Sequence, residues 1–324
     1  MKNYNWVVIG CGVIAHQLAE ALKKDGRTLY GVANRTYAKA VDFAKQYHID
    51  HVYEHIDDVF EDENVDIVYI STPHNTHRVF LEKALSHGKH VLCEKSITLN
   101  SDELNEAIAY AHKNHVVLGE AMTIYHMPIY KKLHEIVASG TLGPLRMVQM
   151  NFGSYKDYDM NNRFFNRHLA GGALLDIGVY ALSFMCYFMS EKPNQILSQV
   201  KKAPTGVDEQ VGILLMNDVG EMATIALTLH AKQPKRGMLA FDQGYIEVYE
   251  YPRAQQAVIT YTKDGHQEVI NCGDTNDALR YEVHDMEEAV ASGKDMLHLD
   301  YTKDVMDMMT ELRQSWHFTY PEEE

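Results

Sequence analysis

A glycine turn set between a strand and a helix constrains this chain more than any other feature. The apolar run Trp6, Val7, Val8, Ile9 breaks into Gly10-Cys11-Gly12-Val13-Ile14-Ala15, and a helical pattern continues through Leu22. By this order a doubly wound sheet offers a helix N-terminus to a pyrophosphate. Gly10 permits the turn, and Gly12 lets the backbone approach a phosphate with no side chain in the way. Ala15, at the third position, still allows close helix–strand packing. The free N–H groups of the first helical turn then face the anion. The expected dinucleotide contacts here are Gly10, Cys11, Gly12, Val13 and Ile14.

The rest of the N-terminal third keeps the same rhythm. Strand-like runs at Thr28–Ala33, Asp66–Ser71, Lys89–Leu92 and Val116–Leu118 alternate with helix-like runs at Tyr37–Tyr47, His77–His87 and Ser101–Asn114. Asp66–Ser71 is apolar on successive residues, as a strand buried on both faces requires. Alternation of this kind implies a parallel sheet covered by helices on both sides. After Glu120 the rhythm changes. Helical patterns at Pro128–Ser139 and Ala173–Met189 flank a long strand, Leu145–Phe152. From Gln195 to Ile270 consecutive strands are separated by turn signals such as Pro204-Thr-Gly206 and Lys263-Asp-Gly265, which reads as an antiparallel sheet. Helices at Ala278–Ser292 and Tyr301–Trp316 close the chain. The expected fold is α/β: a Rossmann doubly wound parallel sheet over residues 1–122, then an α+β domain on a mostly antiparallel sheet over residues 123–324. A length of 324 residues is enough for two such cores.

The net charge of −15 argues against nucleic acid or an anionic membrane as partner. No apolar run reaches the roughly 18 residues of a membrane span, and the N-terminus carries no signal-peptide pattern. Four scattered cysteines, Cys11, Cys93, Cys186 and Cys272, suit reduced thiols in a cytoplasm. His74 and His77 lack a third ligand at matching spacing, so no metal is expected.

Three places carry side chains suited to chemistry. Ser71-Thr72-Pro73-His74-Asn75-Thr76-His77 follows a central strand, where ligands of open α/β sheets collect. Ser71, Thr72, Pro73, His74, Asn75 and His77 are therefore candidate cofactor contacts. Glu94 and Lys95 follow the next strand, beside the same cofactor crevice, and are candidate cofactor contacts as well. A lysine there can polarise a carbonyl or stabilise an alkoxide, although a surface ion pair with Glu94 would use the same residues. Within Gly171–Tyr180, Asp176 and Tyr180 lie four apart and share a helical face. A lysine near the phenol would lower its pKa and make proton exchange with a substrate hydroxyl feasible near neutral pH. A capping aspartate and a core tyrosine would fit the same spacing.

Taken together, Gly10–Ala15, Ser71–His77, Gly88–Lys95, Gly119–Ala121 and Gly171–Tyr180 resemble the glucose–fructose oxidoreductase / inositol dehydrogenase (Gfo/Idh/MocA) family along nearly the whole chain. The resemblance implies an NAD(P)-dependent oxidoreductase acting on a hydroxyl/carbonyl pair of a sugar, polyol or cyclic diol. It implies that Lys95 lies at the nicotinamide and that Asp176 and Tyr180 complete the catalytic set. It also implies a homodimer or higher oligomer through the open face of the second sheet. Tyrosine at 180 is similar to the dihydrodiol/D-xylose dehydrogenase and glucose–fructose oxidoreductase branches. Ser96 departs from the proline usual after the lysine, and Met122–Pro128 lacks the arginine and histidine common in those branches. A dinucleotide-binding regulator without turnover is the competing expectation, and it gives no reason to keep Lys95, Asp176 and Tyr180 together.

The cofactor form is read at the end of the second strand, which ends Asn34-Arg35-Thr36 with no carboxylate. Arg35 can pair with a 2′-phosphate, Thr36 can add a hydroxyl, and Asn34 does not repel the phosphate as Asp would. NADP is expected, with NAD possible because Asn34 can still bond a 2′-hydroxyl.

Overall fold

The computed structural model describes residues 3–324. Its first sheet has six parallel strands: β1 (Trp6–Ile9), β2 (Gly31–Ala33), β3 (His51–Tyr53), β4 (Ile67–Ile70), β5 (His90–Glu94) and β6 (Leu118–Ala121), in the order β3-β2-β1-β4-β5-β6. Every residue of β1 and β4 is buried, which is why both read as unbroken apolar runs. The strand order reverses between β1 and β4, so the crevice beyond their carboxyl ends is the ligand position of a doubly wound sheet. Helix Val13–Lys24 starts directly at that crevice.

The second sheet has eight strands: β7 (Leu145–Gly153), β8 (Gln195–Lys202), β9 (Asp208–Met216), β10 (Met222–Thr228), β11 (Gln233–Phe241), β12 (Gly244–Tyr249), β13 (Gln256–Tyr261) and β14 (Gln267–Asn271). Their order is β14-β13-β12-β11-β7-β10-β9-β8. All neighbours run antiparallel except β10 and β7. The alternation along β9 buries Val211, Ile213 and Leu215 and leaves Gly212 and Leu214 exposed. Leu197, Leu214, Thr224, Gln149, Met238, Glu247, Val258 and Val269 are register partners in one row across the sheet, on the face opposite those buried residues.

Two expectations need correction. The compact units do not follow a single cut near residue 122. The chain up to Ala121 groups with Leu279–Leu299, and Met122–Ala278 groups with Asp300–Glu324. Helix Ala278–Ser292 is tied to the first unit by Arg27–Glu287 at 2.6 Å, by Trp6 Nε1 donating to Glu287 at 2.8 Å, and by Arg280–Asp25 at 2.6 Å. These partners are more than 250 positions apart and leave no local trace in the sequence. The second correction concerns Arg167–Phe188, which is long and apolar enough to cross a membrane. However, 89% of its most apolar window is buried within the protein, so its apolarity serves a core.

Candidate functional site

In the first unit the ligand-facing surface is built mostly from main chain. Gly10 has φ +104°, and a Cβ there would lie 2.8 Å from the Ser71 carbonyl oxygen. Only glycine allows β1 and β4 to approach this closely at the crevice. Gly12 is exposed, with nothing within 4 Å of where a Cβ would stand. It caps helix Val13–Lys24 with no side-chain hydrogen bond, so the first-turn N–H groups receive no capping side chain. Val13 is 78% exposed, whereas Ile14 is half-buried. This open helix end fits the diphosphate of a dinucleotide. Burial pushes the Cys11 thiol up to about 11, against the pull of Lys39, so the residue between the glycines is a neutral thiol.

The Ser71–His77 segment folds back onto the glycine turn and onto the Lys95 segment. Ser71 Oγ donates to the Ile9 carbonyl at 3.1 Å, and His74 Nε2 lies 3.0 Å from the Lys95 carbonyl. Thr72, His74 and Asn75 are half-buried, and Pro73 is exposed. His77 departs from expectation as a cofactor contact, because its ring is fully buried. Its Nδ1 lies 3.0 Å from the Ser96 carbonyl and its Nε2 2.9 Å from the Thr72 carbonyl. Burial pushes its pKa below the ordinary histidine value, against the pull of those carbonyls, and the ring braces two loops.

Glu94 is the last residue of β5, paired in register with Ala121, rather than part of a loop after the strand. Its carboxylate accepts the Tyr69 hydroxyl. Lys95 is half-buried, and the Lys95–Ser96 peptide is cis. Two buried carboxylates hold the main chain beyond it: Glu120 accepts the Ile97 amide and Glu103 the Leu99 amide, each at 3.0 Å. Glu120 was not marked for this task by local sequence, since it lies on β6, 23 positions from Ile97, whereas Glu103 reaches back only four positions from the first turn of the helix capped by Asn100.

At the end of β2, Arg35 and Thr36 are exposed, and the Asn34 amide donates to the Thr36 carbonyl at 3.0 Å. Arg35 has no ion pair among the described residues. Lys39, one helical turn on, is close enough to act on the Cys11 thiol. It is a second cation on the glycine-turn side that sequence reading missed.

In the second unit Asp176 and Tyr180 ride one continuous helix, but its first turns are wider than an α-helix. Leu174–Gly178 is π-helical and Val179–Phe188 is α-helical. Such π segments gather at functional sites. Asp176 is 9% exposed and pairs with Arg163 at 3.4 Å, and it does not cap the helix. The acceptor at this helix start is Asp208, from β9, whose Oδ2 takes the Leu174 amide at 2.6 Å. Burial raises the Asp208 pKa to about 7, opposed by that amide and by Arg313. The Tyr180 phenol is half-buried, with its ring 6.2 Å from Phe152. Among the described residues no group of three or more His, Cys, Asp or Glu is placed to hold a metal.

Comparison with known proteins follows the same division of the chain. The family model described as "Oxidoreductase family, NAD-binding Rossmann fold" matches residues 4–122, and the "GFO/IDH/MocA C-terminal domain" matches residues 130–249. Trans-1,2-dihydrobenzene-1,2-diol dehydrogenase of Bos taurus is 31% identical over 70% of this chain and 68% of its own length. The Mus musculus enzyme of that name is 26% identical over 98% of both. Among solved structures, an aldose-aldose oxidoreductase from Caulobacter crescentus has a TM-score of 0.86 at 22% identity, covering 98% of each chain. A 3-ketoreductase from Actinomadura kijaniata, in complex with NADP and TDP-benzene, has a TM-score of 0.83 at 21% identity, covering 96% of each.

Proposed function

Because the chain belongs to the Gfo/Idh/MocA oxidoreductase family, we propose that it moves a hydride between a nicotinamide dinucleotide, NADP(H) in preference to NAD(H), and the hydroxyl/carbonyl carbon of a sugar, polyol or cyclic diol. The observation that carries this reading is the Tyr180 phenol on the same helix as the buried Asp176, in a chain that also keeps Lys95. A sensor of dinucleotide has no need of such a proton-transfer set. The names of the relatives support the substrate range, and NADP bound to the ketoreductase supports the cofactor form.

The open N-terminus of helix Val13–Lys24 would hold the diphosphate, and Arg35 with Lys39 would take a 2′-phosphate. The bound dinucleotide supplies the hydride acceptor or donor at nicotinamide C4. Tyr180 exchanges the proton of the substrate hydroxyl. Lys95 polarises that oxygen and stabilises its charge. Asp176 accepts a hydrogen bond from a substrate hydroxyl and fixes the ring's orientation. The test is turnover of purified protein with NADP⁺ and NAD⁺ across a sugar, polyol and diol panel. Reduction of neither dinucleotide by any member, together with no NADPH binding, would overturn the reading.

A homodimer through the open face of the second sheet is part of this proposal. Leu197 is 68% exposed, Leu214 38% and Val269 52%, all in the one cross-sheet row. Apolar residues on an otherwise uncovered sheet favour a second copy as cover. A monomer in sedimentation at micromolar concentration would rule this out. The four cysteines are thiols, which supports a cytoplasmic setting.

A further inference from the structure

In a chain with 45 acidic and 30 basic side chains, one cluster inverts the balance. The Lys156 ammonium feels Arg163, Lys235 and Lys232 as like charges and Asp176 as the opposing one. Burial, more than any one of those neighbours, drives its pKa below the ordinary lysine value. Among the described residues two carboxylates pair with the four cations: Asp176 with Arg163 at 3.4 Å, and Glu250 with Lys235 at 2.9 Å. Glu250 is 70% exposed and screened by water, so its pairing with Lys235 is weak. Lys156 and Lys232 have no ion pair among the described residues.

Aromatic rings hold three of these cations in place. Lys156 and Arg163 each lie 4.2 Å from the centre of the Phe164 ring, and Lys235 lies 5.4 Å from that of Phe152. Phe152 in turn packs against Tyr180. The excess positive charge therefore stands one aromatic ring from the proposed proton-transfer group and directly against Asp176. Four cations gathered against a net charge of −15 repel one another unless a ligand supplies the missing negative charge.

We infer that the substrate carries an oxyanion, a phosphate ester or a carboxylate, received by Lys156, Arg163, Lys232 and Lys235 while its reacting hydroxyl faces Tyr180. This rests on the oxidoreductase reading above and narrows it to anionic sugars or polyols. The cluster sets specificity: neutral sugars would leave its excess positive charge uncompensated.

The test uses the NADPH-loaded protein, titrated by calorimetry with D-glucose, D-glucose 6-phosphate and D-glucuronate at low and physiological salt. NADPH binding itself, measured first, reports on the dinucleotide reading independently. At least one anionic probe is expected to bind tenfold or more tighter than glucose, with affinity falling as salt rises. Tighter phosphate binding would assign a phosphate ester, and tighter glucuronate binding a carboxylate. In Lys232→Ala and Lys235→Ala each, the anion should bind roughly tenfold more weakly, with NADPH affinity unchanged. Should a variant fail to fold, the salt dependence of the unaltered protein still decides. Glucose binding as well as both anions, or no probe binding at millimolar concentration while NADPH binds, would overturn the proposal. No NADPH binding at all would overturn the reading beneath it.

Discussion

The dinucleotide end of the first unit and the helix of the second unit present functional groups by opposite means. Around Gly10 and Gly12 the groups offered are main-chain amides at a helix start, and their positions follow from where β1 and β4 end. Around Asp176 and Tyr180 the groups are side chains on a helix buried almost throughout, whose start is held by a carboxylate from a strand more than 30 positions away. A backbone site tolerates many side chains but few changes of φ. A side-chain site tolerates backbone neighbours but depends on single functional groups. Substitutions in the two regions should therefore fail differently.

The largest expected effect is on chemistry in the second unit. Tyr180→Phe keeps the ring and its packing on Phe152 but removes the hydroxyl. Turnover should fall by about 10²–10⁴, the usual worth of a positioned acid or base, with NADPH affinity nearly intact. Lys95→Ala should cost at least as much in turnover. Single-turnover rates with NADP⁺ and the substrate found in the panel give the measurement. Full activity of Tyr180→Phe would move the proton transfer to another group.

Next comes a paired test of the backbone site. Gly10→Ala places a methyl against the Ser71 carbonyl and forces alanine to φ +104°, so it should destabilise by about 2–4 kcal/mol. Gly12 has φ −82° and open space, so Gly12→Ala should leave stability within about 1 kcal/mol. Its cost should appear in NADPH affinity, weakened roughly tenfold, because the methyl enters the phosphate approach. Thermal melts read the first effect and fluorescence titration the second. Equal losses of stability in both variants would break the distinction between turn and binding face.

The second unit should also respond to pH through Asp208. Its folded pKa of about 7 lies above the ordinary 3.8, so between these values the folded protein binds more protons than the unfolded one. Stability from this group is therefore complete below about pH 4 and is lost as pH rises toward 7, by at most about 4 kcal/mol. Asp208→Asn keeps an acceptor for the Leu174 amide but does not titrate. Melting temperatures at pH 5 and pH 8 should differ less in the variant than in the parent. An unchanged difference would show that Asp208 stays ionised throughout.

The contrast also explains what could be read in the chain itself. Five strands of the first sheet, its switch point and the glycine turn were legible, because buried parallel strands and a Gly-x-Gly turn leave contiguous local patterns, whereas the short edge strand β3, with none of its residues buried, was not. Asp176 and Tyr180 could be singled out by spacing, yet neither the π-helical turn nor the Asp208 acceptor could, since both depend on a strand paired far along the chain. His77 read as a ligand contact because burial cannot be seen in a loop of polar residues. Lys39 went unmarked because a lysine on an amphipathic helix ordinarily faces water. Glu287 and Asp25, which bind helix Ala278–Ser292 to the first unit, carry no signature beyond their charge.

The smallest expected effect tests a side chain on which the backbone-built site relies for selectivity. Arg35 is exposed at the end of β2, without an ion pair among the described residues, and Asn34 beside it carries no charge to repel a phosphate. Removing the guanidinium in Arg35→Ala should weaken NADPH roughly tenfold, the loss of one charge-assisted bond of about 1.5 kcal/mol. NADH binding should change little, because a 2′-hydroxyl engages Asn34 or main chain instead. Lys39 remains in the variant, so some preference for the phosphate should survive, and Arg35→Ala with Lys39→Ala together should erase it. Titration of both dinucleotides against all three proteins measures the preference directly. If NADH is already the tighter ligand of the parent, the second-strand residues select the 2′-hydroxyl and the two cations serve another purpose.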